Sequence, residues 1–152
     1  MTTRDIGAPP EAVFPLLYGS RLESPPRCPV FLMGTPVPQA CRVPDGPPVA
    51  GAARECVSDR GTIRQEILVC EPGRRLVFRM VETDLRVGRL LAEVVEDFVL
   101  APCPRGTRLT RTTVVRGRGL GRVGMPVVYV GLKAVHRYVV ADWAAQAARA
   151  AA

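Results

Sequence analysis

His136 is the single histidine of the 152-residue chain, and it alone has an ordinary pKa, near 6.5, suited to taking and giving protons around neutrality. Tyr129 lies two turns earlier. At 100° per residue it shares one helical face with Met125, Leu132, His136, Val139 and Trp143, while Arg137 and Ala141 fall opposite. Glu96 and Arg111 sit on two alternating segments where Phe98, Leu100 and Leu109 mark the inward side, so both charges turn inward as well. If Leu100 faces Thr107 across the turn, Phe98 faces Leu109 and Glu96 faces Arg111, an inward ion pair. Such a set supports acid–base work: His136 removes a proton alpha to a carbonyl, Arg111 or Arg54 stabilises the enolate, and Tyr129 or Glu96 protonates a leaving hydroxyl. The competing reading of His136 is a helical histidine bonded to a backbone carbonyl or placed at a solvent-facing rim.

These side chains need strands and one long helix to position them. A period of two runs through Ala53 to Ser58, Thr62 to Cys70, Arg74 to Glu82, Glu93 to Ala101 and Gly106 to Val115, broken by Asp-Arg-Gly, Glu-Pro-Gly and Pro-Cys-Pro-Arg-Gly turn signals. This predicts an antiparallel meander. Parity turns Ile63, Gln65, Ile67 and Val69 inward together with Leu76, Phe78, Met80 and Glu82, and sets Glu66 opposite Arg79 on the outer face. A two-residue turn at Arg60-Gly61 would bring Arg54, Cys56 and Ser58 inward, and a three-residue turn is equally compatible. Arg54, Gln65, Phe78, Met80, Glu82, Phe98, Leu132 and Met125 are therefore the expected ligand contacts. After Gly124 the period is helical to the Ala-rich end. Eleven of the fifteen prolines fall between Pro9 and Pro48, so turns and an irregular connection are expected there, after a short first strand ending at Ile6. Ala8 to Phe14 reads as a helix start with Pro10 in its first turn, and Pro15 should kink or shorten that helix.

Composition excludes several classes. At this length one domain, residues 1–152, is expected, able to bury roughly 68–70% of its unfolded surface. No run approaches the ~20 apolar residues of a membrane helix, and the N-terminus carries an acid where a signal peptide would be apolar. A cytoplasmic protein without membrane contact is the expectation. The five cysteines show no C-x-x-C pair, so reduced thiols, no metal site and no cofactor are expected. The net charge of +7 is spread along the chain as arginine, with Lys133 the one lysine. Without aromatic interleaving or a reading helix it gives no nucleic-acid surface. Gly119-Leu120-Gly121-Arg122-Val123-Gly124 spells G-x-G-x-x-G, but no second parallel strand follows it. It reads instead as a mobile connection whose Arg116, Arg118 and Arg122 are simply solvated, or as a basic loop at a cavity mouth. Pro25 to Pro29 reads as a lid or a rigid surface loop.

An alternating sheet must cover its apolar side, and only the terminal helix is long enough. The order of a short strand, Ala8 to Phe14, a loop-rich region, Glu71 to Phe78, Gly106 to Thr110 and a long helix resembles the SRPBCC superfamily, the START and Bet v 1-like group that includes polyketide cyclases and dehydrases. The resemblance implies an α+β helix-grip fold, a curved antiparallel β-sheet wrapped around a long C-terminal α-helix with an internal cavity. It also implies an apolar small-molecule ligand, polyketide-like, and two functions: a cofactor-free cyclase or dehydratase, or a carrier without chemistry. The two differ in one feature, since in a carrier Glu96 and Arg111 would satisfy each other completely. A third reading, an interaction domain, would need an apolar outer patch at Val57, Leu68, Val77 and Val81. A monomer or homodimer is expected.

Overall fold

The computed structural model describes residues 1–26, 28–44 and 46–150. Seven strands form one antiparallel sheet: β1 (Thr2–Ile6), β2 (Pro38–Arg42), β3 (Ala53–Ser58), β4 (Gly61–Glu71), β5 (Arg75–Thr83), β6 (Leu91–Cys103) and β7 (Gly106–Gly117). Their order across the sheet is β1-β7-β6-β5-β4-β3-β2. Helix α1 (Pro10–Tyr18) follows β1, and α2 (Met125–Ala150) ends the chain. The sheet carries its apolar side against α2, which makes this the helix-grip α+β fold. Among the described residues no helix is long and apolar enough to cross a membrane.

Alternation builds the core. Leu76 and Phe78 of β5, Phe98 and Leu100 of β6 and Leu109 of β7 are buried against Val139, Val140 and Trp143 of α2, each fully buried side chain contributing about 1.5–3 kcal/mol. Helix α1 runs through Pro15 instead of ending there. Proline removes one intrahelical bond, and the burial of Val13, Phe14 and Leu17 on both sides of it holds the last turns in place.

Strand pairing departs from the expected one in the β6–β7 hairpin without changing faces, and at two bulges in the β4–β5 pair that do change them. The β6–β7 hairpin closes with Cys103 opposite Gly106, so Leu100 faces Leu109, Phe98 faces Arg111 and Glu96 faces Thr113. This register is two residues from the expected one and preserves parity. Gly106 is required there: its φ is +119°, and a Cβ would lie 2.5 Å from the Ile6 carbonyl oxygen. In the β4–β5 pair, Arg64 faces Glu82 while Gln65 faces Met80. Val81 is thus bulged out, which sends Glu82 to the outer face, where it is exposed and lies 3.4 Å from Arg64. A second bulge at Leu68 sets Val69 opposite Val77 and Cys70 opposite Leu76, exchanging the faces expected for Val69 and Cys70. Glu66 and Arg79 do pair, at 2.6 Å. Of the proposed outer apolar patch, Val57, Leu68 and Val81 are exposed but Val77 is buried.

The Pro-rich third is more regular than expected. It holds strand β2 and a 3-10 turn at Pro29–Phe31, and Cys41 of β2 is disulfide-bonded to Cys56 of β3. The expectation of five reduced thiols is therefore corrected. Without β2 the sequence offered nothing to set Cys41 beside Cys56, whereas the observed pairing places them directly opposite. The lid reading of residues 25–29 includes Arg27, which lies outside the described residues. The connection just before β2 is fastened to α2 by a carboxylate: buried Asp142 accepts hydrogen bonds from the Ser24 amide at 2.8 Å, the Glu23 amide at 3.3 Å and the Gln146 side chain at 2.6 Å. Trp143 donates its indole N–H to Ser20 Oγ at 2.8 Å. Within the G-x-G-x-x-G segment, Gly119–Arg122 forms a 3-10 turn before α2, with Gly121 packed against the Leu90 backbone.

Candidate functional site

Between sheet and helix lies a cavity of about 530 Å³, within the size range of sites for drug-sized molecules. Its wall is mostly aliphatic, and its buried polar groups converge from four strands: Arg54 from β3, Gln65 from β4, Glu96 from β6 and Arg111 from β7. The β3–β4 hairpin closes with Ser58 opposite Gly61, so the turn is Asp59-Arg60 instead of the expected Arg60-Gly61 or three-residue turn; the pairing shifts by two, inward parity is kept, and buried Arg54 stands opposite Gln65. Its guanidinium donates to Gln65 Oε1 and, at 2.8 Å, to the Leu17 carbonyl of α1. It also stacks 4.2 Å above the Phe78 ring, a contact worth about 2 kcal/mol when desolvated. Burial pushes the Arg54 pKa down to about 9, opposed by the Glu96 carboxylate and aided to a smaller degree by the Arg111 charge. Arg54 is still a cation at neutral pH.

Arg111 donates to Glu96 Oε1 and lies 5.1 Å from the Phe98 ring centre. The two side chains sit diagonally across β6 and β7, so the expected inward ion pair is present without being directly cross-strand. Burial alone would raise the Glu96 carboxyl, but the Arg111 charge and hydrogen bond outweigh it and hold that pKa below the usual range. The pair is not closed on itself. Arg111 Nε and Nη1, together with Arg54 Nε, are buried without a hydrogen-bond partner among the described residues.

His136 stands behind this group and does not line the main cavity. Its Nε2 lies 3.0 Å from Thr113 Oγ1 and 4.0 Å from Glu96 Oε1, and its Nδ1 has no partner among the described residues. Burial, reinforced by Arg111, pushes its pKa down to about 3, so the ring is neutral at physiological pH. It borders a smaller pocket of about 220 Å³ that also includes Thr113, Met125, Tyr129, Leu132 and Lys133. Tyr129 is 58% exposed. The expected stripe is thus buried only at His136, Val139 and Trp143.

The cavity therefore brings together Glu96, Arg111, Arg54, Gln65, Met80, Phe98 and Leu132 of the expected residues. It leaves out His136, Tyr129 and Met125, which meet at the smaller pocket, and Phe78, which is fully buried beneath Arg54. Glu82 is excluded by the Val81 bulge. Sequence reasoning missed the rim: Met33 to Pro36 from the loop-rich region and Leu85, Val87 and Leu90 before β6. The apolar run Val30-Phe31-Leu32-Met33 within a proline-rich stretch was the available signal.

A sheet gripping one helix around an apolar cavity with a charged floor defines a small-molecule cavity protein of the helix-grip type. The sequence matches the model of the family described as polyketide cyclase / dehydrase and lipid transport over residues 1–150, and the chain belongs to that family, within the SRPBCC superfamily. No curated protein is matched by sequence. Among solved structures, the ZhuI aromatase/cyclase from Streptomyces sp. R1128 superposes with a TM-score of 0.65 at 12% identity, over 99% of this chain and 93% of that one. Protein CV1439 from Chromobacterium violaceum gives 0.62 at 18%, over 96% and 94%. The ginseng major latex-like protein 151 from Panax ginseng gives 0.55 at 14%, over 92% and 93%. At these identities the likeness is one of fold.

Proposed function

We propose that the protein takes an apolar, carbonyl-rich small molecule of the polyketide-like class into the larger cavity and acts on it as a cofactor-free cyclase or dehydratase. The observation that carries this reading is the floor itself, where a buried carboxylate and two arginines with unused N–H groups meet in an otherwise apolar cavity. In a closed carrier pocket Glu96 and Arg111 would exhaust one another, and here they do not.

A substrate oxygen placed between the arginines would accept a guanidinium N–H, and negative charge developing on it during enolisation would be stabilised in a site of low polarity. Glu96, ionised and in the same wall, is the group placed to take the alpha proton. Its bond to Arg111 lowers its basicity, and a substrate oxygen that draws on Arg111 would weaken that bond and restore it. His136, 4.0 Å behind Glu96 and bonded to Thr113, takes no proton from the substrate. A carrier role is favoured by one fact: no side chain lining the larger cavity has an ordinary pKa between 5 and 8.

Incubation of the purified protein with a metabolite extract, followed by mass spectrometry of bound and free fractions, separates the two. A compound that loses water or changes retention only with wild-type protein, and not with Glu96→Gln, supports catalysis. A compound retained unchanged makes the protein a carrier.

A further inference from the structure

The charges on the cavity floor do not balance. Arg54 is 3% exposed, Arg111 6% and Glu96 7%, and the neighbouring His136 is neutral, so two guanidinium ions share one carboxylate. Asp142, the other buried acid among the described residues, is spent on the Glu23 and Ser24 amides and Gln146. One positive charge is therefore left without a counter-charge, together with three guanidinium nitrogens that find no acceptor among the described residues. Unpaired buried charge is costly, and stacking on Phe78 and Phe98 relieves it only in part because neither ring supplies a counter-charge.

We propose that this cavity is a binding site for a monoanionic amphiphile, an apolar body ending in a carboxylate, with the carboxylate held by Arg54 and Arg111. The inference rests on the cavity-protein reading above and adds the charge of the ligand. One missing negative charge matches a carboxylate, whereas a phosphate monoester would overcompensate and a neutral end would leave the imbalance in place. The geometry suits it too. Arg54 and Arg111 stand over adjacent rings, Phe78 and Phe98, whose centres are 5.7 Å apart, so one carboxylate can accept from both fork-shaped donors. The volume of about 530 Å³ leaves room for the apolar body beside Met80, Leu132 and Trp143. In turnover the same charge would develop as the enolate, and in a resting complex it is already present on the ligand.

The test is isothermal titration calorimetry with dodecanoate and dodecan-1-ol, equal in chain length and differing in charge, on wild type, Arg54→Met and Glu96→Gln, with folding checked by circular dichroism. Wild type should bind dodecanoate at least about tenfold more tightly than the alcohol. Arg54→Met should abolish that preference while keeping alcohol binding, and Glu96→Gln should widen it. Equal affinities in wild type would overturn the charge inference and leave the cavity reading standing, whereas binding of neither probe would overturn the cavity reading itself. A preference unchanged in both variants would place the carboxylate on the basic outer surface and also overturn the inference. Should Arg54→Met fail to fold, the wild-type pair and Glu96→Gln still decide.

Discussion

Arg111 of β7 faces Phe98 across the hairpin, yet its guanidinium reaches diagonally to Glu96, two residues along β6. The ion pair thus depends on both strands keeping inward parity and not on direct opposition.

Removing Glu96 leaves two buried cations without an anion, whereas removing Arg111 leaves Glu96 with Arg54 as its counter-charge. Glu96→Ala should lower stability by about 3–5 kcal/mol and Arg111→Ala by less, while the double replacement Glu96→Leu with Arg111→Met should be close to neutral. Urea unfolding of the three variants checks this. Single variants with wild-type midpoints would mean that solvent in the cavity screens the pair.

His136 gives the pH dependence a clean signature because it is the only histidine. The folded ring titrates near 3 and the unfolded one near 6.5, so between these values the unfolded state binds the extra proton. Stability is therefore fully present above pH 6.5 and falls as pH drops below it, with a slope of about 1.4 kcal/mol per unit. Carboxylates add their own loss only near and below about 4.3. His136→Gln, which can still bond Thr113, should flatten the curve between these limits. A wild-type curve already flat from pH 7 to 5 would show that the buried ring charges freely.

The meander, the terminal helix and the inward set of Glu96 and Arg111 were legible because alternation and helical period are properties of neighbouring residues. Register was not. The position of the Pro104-Arg105 turn shifts the β6–β7 pairing by two without changing any face, so the ion pair survived an incorrect pairing. At Val81 and Leu68 an extra residue inverts the face, and Glu82 was lost from the site for that reason. Which part of a helical face neighbours cover is a tertiary property absent from the helical period, and Tyr129 is exposed although the helical wheel places it with Trp143. Strand β2 was hidden by prolines at its start and just before it, and with it the disulfide.

Cys41 and Cys56 are separated by 15 residues, and a cross-link closing a loop of that size stabilises by about 3 kcal/mol in the chain-entropy account. It ties the edge strand β2 to β3, alongside an Arg42–Glu55 pair at 2.7 Å that is largely exposed and contributes little. A thiol reductant should lower the urea midpoint, and the double variant Cys41→Ala, Cys56→Ala should reproduce the reduced wild type and no longer respond to reductant. Identical midpoints with and without reductant would mean that β2 holds without the bond.

Trp143 is the only tryptophan, is 2% exposed, borders the larger cavity and packs 5.8 Å from Phe98, the ring beneath Arg111. Its emission should therefore report on the occupant of the floor without any label. An apolar ligand that excludes water from the cavity should shift the emission to shorter wavelength, and one that stacks on the indole should quench it. Trp143→Phe should remove the signal while calorimetric binding persists, because the ring volume is only partly lost and Ser20 Oγ, left without its indole donor, can turn to water at the cavity edge. A calorimetrically saturating ligand that leaves Trp143 emission unchanged would place binding in the smaller pocket beside His136, whose lining does not include Trp143.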